Sequence, residues 1–388
     1  MRVESLNHLL EAAREQGIPA LQAAVVHRGA LHHRSAHGAR HPAGPPLGHR
    51  SRMDAASLTK VLATTSVAMV LVDQEQLDLD APVRSVLPSF RHAQITPRML
   101  LGHRSGLAAW APLFEVARQD SVASTLYPGV PGLRAFGWST ELMRHAVLSQ
   151  DPVSAPGPRV YSDIGFLTLG LLLEVVGGAP LDQLARDLVF KPLDLMDTGY
   201  VRMEGNRVPE GPFVCTGQER PRPPAPGQEA LYSRLEQQPS LRAGEVDDDN
   251  AYAMGGVAGH AGVFSTATDV ARFGQAILEE RRGARRLARP EIVAEFLAID
   301  APESLPQRSL GWDRPAGTGS TAGSELGQGP LGAVGHLGFT GCSLWIDLDR
   351  ELVAALLTNR VFPSRTSTAG IRALRPAFHD AVVVSLPA

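Results

Sequence analysis

The chain has 388 residues, of which 44% are hydrophobic and 20% are charged, and its formal net charge at pH 7 is −3. This length allows one large domain or two closely packed ones, with enough core to fold without cross-links. The near-neutral charge gives no electrostatic basis for binding nucleic acid or an anionic membrane, so we expect a small-molecule or short-peptide partner. Cys215 and Cys342 lie far apart in no metal-ligand spacing, which predicts two reduced thiols.

The N-terminal segment, residues 1–20, has the pattern of an amphipathic helix. It carries Glu4, Glu11 and Glu15 where a signal peptide would have a basic start and a continuous apolar core. We therefore expect a cytoplasmic protein, although a leader already removed would leave no trace here. The longest apolar run, VLATTSVAMVLV, spans about 12 residues and is too short for a membrane span.

The next elements are predicted in chain order. Residues 19–38 give an apolar run, the turn HRGA and a more polar run, which predicts a β-hairpin. From Ser57 to about Gln74 apolar side chains cover nearly every face, which predicts a helix buried on most sides. Between Leu77 and Asn250 helical segments are separated by proline and glycine, and the proline-rich stretch 219–229 is predicted to be a surface loop.

The pattern changes again from Gly259 onward. Ser265 or Thr266 is expected to cap a helix, and GCSLWIDLDRELVAALLTNRV predicts two strands joined by an acidic turn at residues 347–350. The chain therefore predicts an α/β (α+β) fold, with one antiparallel sheet built from both chain ends and flanked by helices. We expect a discontinuous sheet domain, residues 1–76 and 259–388, and a mainly helical subdomain, residues 77–258, with a cleft between them.

The first chemical signal is Ser57 three residues before Lys60, in the stretch MDAASLTKV. Only two of the 37 Lys plus Arg residues are lysines, Lys60 and Lys191. Residues three apart share a helix face, which places the amine beside the hydroxyl. A serine hydroxyl needs a base within reach, and burial can lower the pKa of a lysine toward neutrality, whereas arginine stays protonated. The motif alone arises by chance too often to assign a function.

Two later segments place further polar groups beside predicted element ends. YSDIGFLTLG puts Tyr161, Ser162 and Asp163 just before a helix. GHLGFTGCSLW puts His336 and Gly338 at the start of a strand, where glycine permits close approach of a ligand. Each segment alone has a simpler interpretation, with Tyr161 as a packing residue and His336 as one of 13 histidines.

Taken together, Ser57-x-x-Lys60, Tyr161-x-Asp163 and His336-x-Gly338 resemble the motifs of the serine β-lactamase and penicillin-binding-protein superfamily. The resemblance is to its class C-like branch, which includes class C β-lactamases, D,D-carboxypeptidases, D-aminopeptidases and β-lactamase-like esterases. It covers nearly the whole chain, including LLGHRSGL, FKPLDLMDTGY, AMGGVAGHAGVFSTATDVARF and LGWD. It implies a β-lactamase/D,D-peptidase-like fold and a serine hydrolase that works without metal or cofactor.

The resemblance also implies a role for the reacting groups. Ser57 would form an acyl-enzyme with an ester, amide or lactam carbonyl, assisted by Lys60 and Tyr161 as base or proton relay. The oxyanion would sit between the backbone N–H groups of Ser57 and Phe339. Expected substrates are small molecules or short peptides, β-lactams among them.

Asp163, His336 and Gly338 are the substrate-binding residues that the resemblance implies, and two of them depart from the family pattern. Asp163 stands where asparagine is common, and its anion would raise the pKa of Lys60, which favours Tyr161 as the base. His336 stands where many relatives have a lysine, so the site lacks a permanent cation for a carboxylate. This favours an esterase or D-amino-acid peptidase. The open alternatives are a true β-lactamase and a catalytically silent penicillin-binding or sensing protein.

Other polar groups are interpreted as structural. His103 and His260 are expected to hold loop backbone by hydrogen bonds, and the acidic run at residues 247–249 is expected to be a solvated or loop-capping cluster. No metal site is predicted. The sequence also lacks a Gly-x-Ser-x-Gly elbow, a His-Glu-x-x-His zinc motif and a phosphate-binding loop.

Overall fold

The structure is a computed structural model that describes residues 3–119, 136–203, 211–217, 219–220, 238–239, 242–303, 306–317 and 319–386. Within these residues the α-helices are α1 (Val3–Glu15), α2 (Ser66–Asp73), α3 (Pro97–Leu101), α4 (Phe114–Gln119), α5 (Phe136–Leu148), α6 (Asp163–Gly177), α7 (Leu181–Ala185), α8 (Asp249–Ala253), α9 (Ala267–Arg281), α10 (Pro290–Leu297) and α11 (Ala369–Val384). The strands are β1 (Ala20–His27), β2 (Ala30–Gly38), β3 (Met53–Asp54), β4 (Gly199–Tyr200), β5 (Glu219–Arg220), β6 (Gln238–Pro239), β7 (Val263–Ser265), β8 (Ala333–Leu337), β9 (Ser343–Asp347) and β10 (Leu352–Thr358).

The central sheet is antiparallel and has the strand order β2-β1-β10-β9-β8. Its middle pair joins the two ends of the chain, with Leu21 of β1 opposite Thr358 of β10. Both predicted hairpins are present, β1–β2 and β9–β10. The predicted fold class is therefore confirmed, whereas the domain boundaries at residues 76, 77, 258 and 259 stay a prediction.

Both faces of the sheet are covered, which explains the continuous apolar runs in β1 and β10. Alternate residues of β1 point to opposite faces, so Leu21 and Val25 belong to one core and Ala20 and Ala24 to the other. Helices α1 and α11 pack together over the first face, and α9 packs against β1 and β10 on the second. Thr266 caps α9 by accepting from the Asp269 N–H at 3.2 Å, and it is one of the two residues predicted as candidates for this cap.

The buried helix predicted from Ser57 to Gln74 is present, but it is not one uniform α-helix. A 3₁₀ turn (Ala56–Leu58) leads into a π-helical segment (Lys60–Thr65) and then into α2. The Ser66 hydroxyl donates to the Val61 carbonyl at 2.8 Å, five residues back, and such side-chain bonds compete with the regular helical ladder. Single π-helical turns are frequent at functional sites.

This helix also meets the length and hydropathy criteria for a membrane span over Ala56–Asp73, but 83% of that window is buried inside the protein. The bent pair Asp163–Gly177 and Leu181–Phe190 meets the criteria only when taken together, across a 76° bend. The Ala56–Asp73 helix therefore has the burial of a core helix.

Two short sheets lie outside the central one. The sheet β3-β7-β4 pairs Met53 with Ser265 and so fixes the segment that leads to Ser57. Of the predicted loop at 219–229, Glu219–Arg220 forms β5 and pairs with β6, and residues 221–229 lie outside the described residues. Both cysteines are buried free thiols, as predicted.

Candidate active site

Ser57 follows directly on a tightly held turn. The Ala55 N–H donates to the Val263 carbonyl at 2.9 Å, and the Ala56 N–H donates to the Asp54 carboxylate at 2.8 Å. Ala56 has a φ of 48°, in the left-handed region that costs a residue with a side chain of order 1–3 kcal/mol. The surrounding bonds hold this conformation at the start of the 3₁₀ turn that carries Ser57.

Lys60 lies one turn on and is wholly buried. Its Nζ donates to Ser57 Oγ at 3.0 Å, to Asp163 Oδ1 at 2.6 Å and to the His260 carbonyl at 3.4 Å. Burial lowers the pKa of Lys60, but the charges and hydrogen bonds of Asp163 and Tyr161 outweigh burial, so the pKa of Lys60 is raised above its ordinary value. Three acceptors and a raised pKa both favour the ammonium form.

Tyr161 is placed by the start of α6. Ser162 caps that helix by accepting from the Gly165 N–H at 3.0 Å, which puts Asp163 in its first turn. Tyr161 is 37% exposed, and the centroid of its ring lies 4.8 Å from Lys60 Nζ. The phenol and the carboxylate therefore contact the same ammonium from neighbouring positions.

His103 holds the backbone on both sides of Tyr161. Its carbonyl accepts from the Val160 N–H at 2.9 Å, and its Nδ1 accepts from the Ser162 N–H at 3.0 Å. Its ring packs on Tyr161 at a centroid distance of 4.6 Å. Burial and nearby cations lower the pKa of His103 well below its ordinary value, so the ring stays neutral and Nδ1 remains an acceptor. The expectation that His103 holds loop backbone is confirmed.

His336 lies on β8 and is buried. Its Nδ1 is bonded to the Leu337 carbonyl at 2.8 Å, which makes Nδ1 the protonated nitrogen and leaves Nε2 without a partner among the described residues. Burial first, and then the charges of Lys60 and Arg308, lower the pKa of His336 well below its ordinary value. His336 is therefore a neutral wall residue, in line with the absence of a permanent cation at this position.

Gly338 and Phe339 form the turn after β8. The Gly338 N–H donates to the Cys342 carbonyl at 2.7 Å, and a Cβ on Gly338 would lie 2.6 Å from the Ala55 carbonyl oxygen. This close approach brings the turn beside the segment that carries Ser57. In the described parts of the chain, no acceptor takes the backbone N–H of Ser57 or of Phe339. Both remain available to an oxyanion.

These groups open into one cavity of about 610 Å³. It is lined by Ser57, Tyr161, Asp163, His336, Gly338 and Phe339, with Lys60 beneath them. The acidic wall is made of Asp247, Asp248, Asp249 and His260, and the basic wall is made of Arg360, Arg365, Arg372 and Arg375. The structure thus brings together every residue that the sequence predicted for the site.

The acidic wall differs from its predicted role as a solvated cluster. Asp247 and Asp249 are buried and pair with Arg365, at 3.1 and 3.3 Å. Asp248 does act as a cap, accepting from the Ala251 N–H, and it also accepts from His260 Nε2 at 2.8 Å. The His260 ring therefore binds a carboxylate, and only its backbone carbonyl reaches Lys60. Among the described residues, no three His, Cys, Asp or Glu side chains are placed to hold a metal ion.

The prediction missed the arginines around the site. Arg360 donates from Nε to the Phe339 carbonyl at 2.8 Å, and Arg375 donates to the Gly338 carbonyl at 2.6 Å. Arg308 lies over the Tyr161 ring at 5.2 Å. These contacts join residues far apart in the chain, so no local pattern announces them.

The family model Beta-lactamase matches residues 6–377. The chain belongs to this family. It is 31% identical to Esterase EstB of Burkholderia gladioli, over 95% of the chain and 93% of that protein. It is 30% identical to the N-acetylmuramyl-L-alanine amidase of Bacillus subtilis (strain 168), over 92% of the chain and 81% of that protein. The octameric penicillin-binding protein homologue from Pyrococcus abyssi shares its fold at a TM-score of 0.69 and 18% identity, covering 99% of the chain and 77% of that structure.

Membership of the Beta-lactamase family confirms the resemblance to β-lactamases and penicillin-binding proteins. The chain is a serine hydrolase of that type, and the amidase and esterase among its relatives agree with chemistry at a carbonyl carbon.

Proposed function

We propose that this Beta-lactamase family protein hydrolyses carboxylic esters of small molecules through an acyl-enzyme on Ser57. The observation that carries the proposal is the hydrogen-bonded chain from Ser57 Oγ to Lys60 Nζ to Asp163 Oδ1, with distances of 3.0 and 2.6 Å, at the floor of the cavity. A serine becomes nucleophilic when a neighbouring group can take its proton. Lys60 already donates to three acceptors, so Tyr161 is the group that takes it.

The proposed reaction has two halves. The Ser57 proton passes to the oxygen of Tyr161, which begins as a phenolate, as Oγ bonds to the substrate carbonyl carbon, and the resulting oxyanion is held by the N–H groups of Ser57 and Phe339. The carbonyl re-forms as the bond to the leaving alcohol breaks, and Tyr161 returns the proton to that alcohol. Water then repeats the sequence. It gives its proton to Tyr161 as it bonds to the acyl carbon, and Tyr161 passes that proton to Ser57 Oγ as the acid leaves.

The strand β8 presents no cation to the cavity at His336. This favours an ester over a substrate that carries a carboxylate at this position. His336 faces the cavity as a neutral ring, because its pKa is lowered well below the ordinary value by burial. A neutral ester needs no cation at this position. Similarity to Esterase EstB along nearly the full length of both proteins supports the same assignment.

A second candidate is hydrolysis of short D-amino-acid peptides, supported by the basic wall. Arg372 is exposed at the start of α11 and has no carboxylate partner among the described residues, so it is open to a peptide carboxylate.

A cytoplasmic location also remains a proposal, which cell fractionation with an antibody would test.

The experiment compares turnover of short-chain nitrophenyl esters, D-alanyl peptides and nitrocefin, with intact-mass spectrometry after incubation with a penicillin. We expect ester turnover to exceed peptide turnover. Rapid nitrocefin loss would instead assign a β-lactamase, and a stable penicillin adduct without turnover would assign a penicillin-binding protein. Ser57→Ala is the control, and a fluorophosphonate probe that still labels the active site of this variant would refute Ser57 as the nucleophile.

A further inference from the structure

Arg308 contacts Tyr161 but has no role in the proposed mechanism. The side chain is buried, and its guanidinium carbon is 5.2 Å from the centroid of the Tyr161 ring. It forms an ion pair with Asp313, which lines the cavity. Burial lowers the pKa of Arg308 to about 10, so the guanidinium keeps its charge at neutral pH. A buried cation over an aromatic face is an energetically significant contact.

The backbone fixes Arg308 in this position. The Asp300 N–H donates to the Arg308 carbonyl at 2.8 Å, and Asp313 exchanges two backbone hydrogen bonds with Gly335, at 2.8 and 3.0 Å. Gly335 directly precedes His336 on β8, so this segment extends the edge of the central sheet. Arg308 is thus held by the same sheet edge that carries His336 and Gly338.

Two cations therefore flank the Tyr161 ring. Lys60 Nζ lies 4.8 Å from the ring centroid, and the guanidinium carbon of Arg308 lies 5.2 Å from it. The two histidines that also pack near the ring, His103 at 4.6 Å and His336 at 5.9 Å, are held neutral by burial, which lowers the pKa of each.

The negative charges near the ring are balanced by these cations. Asp163 is paired with Lys60, and Asp313 is paired with Arg308. Arg159, two residues before Tyr161, adds a further guanidinium that is paired with Asp300 and whose side chain is 2% exposed. The cations that contact Tyr161 therefore come from two segments: Lys60 from the buried helix and Arg308 from the segment that extends the edge of the central sheet.

We propose that Arg308 is a positioning residue that acts through Tyr161, holding its ring and stabilising the anionic form of its oxygen. The inference rests on the proposed role of Tyr161 as proton acceptor. When Tyr161 takes the proton of Ser57, it must begin as a phenolate, and a fixed cation a few ångströms away favours that charge. Arg308 supplies this cation where the neutral His336 does not.

The test is Arg308→Met, which keeps an unbranched stem and removes the charge. We expect kcat for a nitrophenyl ester to fall about ten- to a hundredfold with KM nearly unchanged. The acidic limb of the pH–rate profile should move to higher pH, because the phenolate is harder to form. Arg308→Lys should recover most of kcat and return the limb toward its original position.

A matched control is Arg314→Met, in the same segment. Arg314 donates to the Ser309 hydroxyl and the Leu297 carbonyl and does not contact Tyr161, so its loss should leave the pH profile unchanged. A titration of tyrosinate absorbance, taken as the difference from Tyr161→Phe, gives a readout independent of activity. If Arg308→Met fails to fold, the double variant Arg308→Met/Asp313→Asn removes both charges together and is compared in the same way.

The outcomes separate this inference from the proposed function. If the wild-type protein turns over esters and is labelled at Ser57, but the Arg308 variants keep its kcat and pH profile, the role of Arg308 is refuted. A loss of kcat without a pH shift, shared by Arg314→Met, would also refute it, since that pattern reports damage to the fold. Failure of the wild-type protein to acylate Ser57 would instead refute the proposed function.

Discussion

Lys60 Nζ lies 2.6 Å from Asp163 Oδ1, although the lysine side chain is wholly buried. An isolated buried ammonium is costly, and it persists only where it is paired and hydrogen-bonded. Here Asp163 supplies the counter-charge, while Ser57 Oγ and the His260 carbonyl supply the other acceptors. The lysine is therefore a fixed cation beside Ser57, and four predictions test what depends on it and on its neighbours.

Replacing Lys60 by arginine should lower kcat for an ester by about 10²–10⁴-fold, although the positive charge is retained. The planar, longer guanidinium cannot direct its N–H groups to the three acceptors that surround Nζ. The measurement is kcat together with the rate of fluorophosphonate labelling. Lys191→Arg, at the exposed lysine that pairs with Asp187, is the matched control and should leave kcat and the labelling rate unchanged. Near-wild-type turnover of Lys60→Arg would show that any cation suffices.

Replacing Asp163 by asparagine should destabilise the protein by about 3–5 kcal/mol at neutral pH, because it leaves a buried ammonium without its counter-charge. In the wild type the pKa of Lys60 is raised above its ordinary 10.5, so its stabilising contribution is present below pH 10.5 and lost as pH rises through the raised value. In the variant burial still lowers the pKa of Lys60, while the opposing effect of Asp163 is lost and only that of Tyr161 remains. The stability deficit should therefore be largest near pH 7 and shrink toward pH 10.5.

Chemical denaturation at pH 7 and pH 10 measures this difference. Asp187→Asn, which removes an exposed partner of Arg186 and Lys191, should leave the free energy of unfolding nearly unchanged at both values, because solvent screens exposed ion pairs. A deficit in Asp163→Asn that is equal at both pH values would mean that the lysine charge is not its cause.

Replacing His103 by leucine should reduce kcat more than it changes KM, because the ring and the Nδ1 acceptor that hold Tyr161 are both lost. The Ser162 N–H would be left buried without an acceptor, at a cost of about 1–3 kcal/mol. His103→Asn is the informative partner variant, since its Oδ1 can replace the acceptor and asparagine tolerates the φ of 57° found here. Equal stability and kcat for the two variants would argue against this role.

Replacing Gly338 by alanine should lower kcat by about a hundredfold, because misplacement of reacting groups by an ångström costs this much. The added Cβ would meet the Ala55 carbonyl oxygen at 2.6 Å and the Cys342 Cβ at 3.0 Å, and the turn that carries the Phe339 N–H would have to move. Gly199→Ala adds a methyl where no atom lies within 4 Å and is the control. A Gly338→Ala enzyme with unchanged kcat would place the oxyanion away from this turn.

Patterns within short stretches of the sequence predicted the hairpins and the helix cap, which depend on contacts within those stretches. The β1–β2 and β9–β10 hairpins follow from alternation and a turn, and the cap at Thr266 follows from a side chain that bonds the backbone three residues on. The pattern of Ser57, Lys60 and Tyr161 could be placed by its resemblance to a known family.

Contacts between distant segments escaped prediction. Asp247 and Asp249 were predicted to belong to a solvated or loop-capping cluster, but both are buried and pair with Arg365. No pattern near either segment indicates this pairing. Arg308 reaches Tyr161 for the same reason, through the fold and not through a motif. The π-helical turn after Lys60 depends on a hydroxyl bond from Ser66 to Val61 that helical periodicity does not reveal.

The pairing of β1 with β10 has a consequence for how the enzyme gains activity during synthesis. Leu21 finds its partner only when Thr358 has emerged from the ribosome, and closing so long a loop is slow. The turn with Phe339 borders Ser57 only once that sheet has formed. Under the proposed mechanism, a nascent chain therefore carries Ser57 without the Phe339 N–H beside it until β10 has been synthesised.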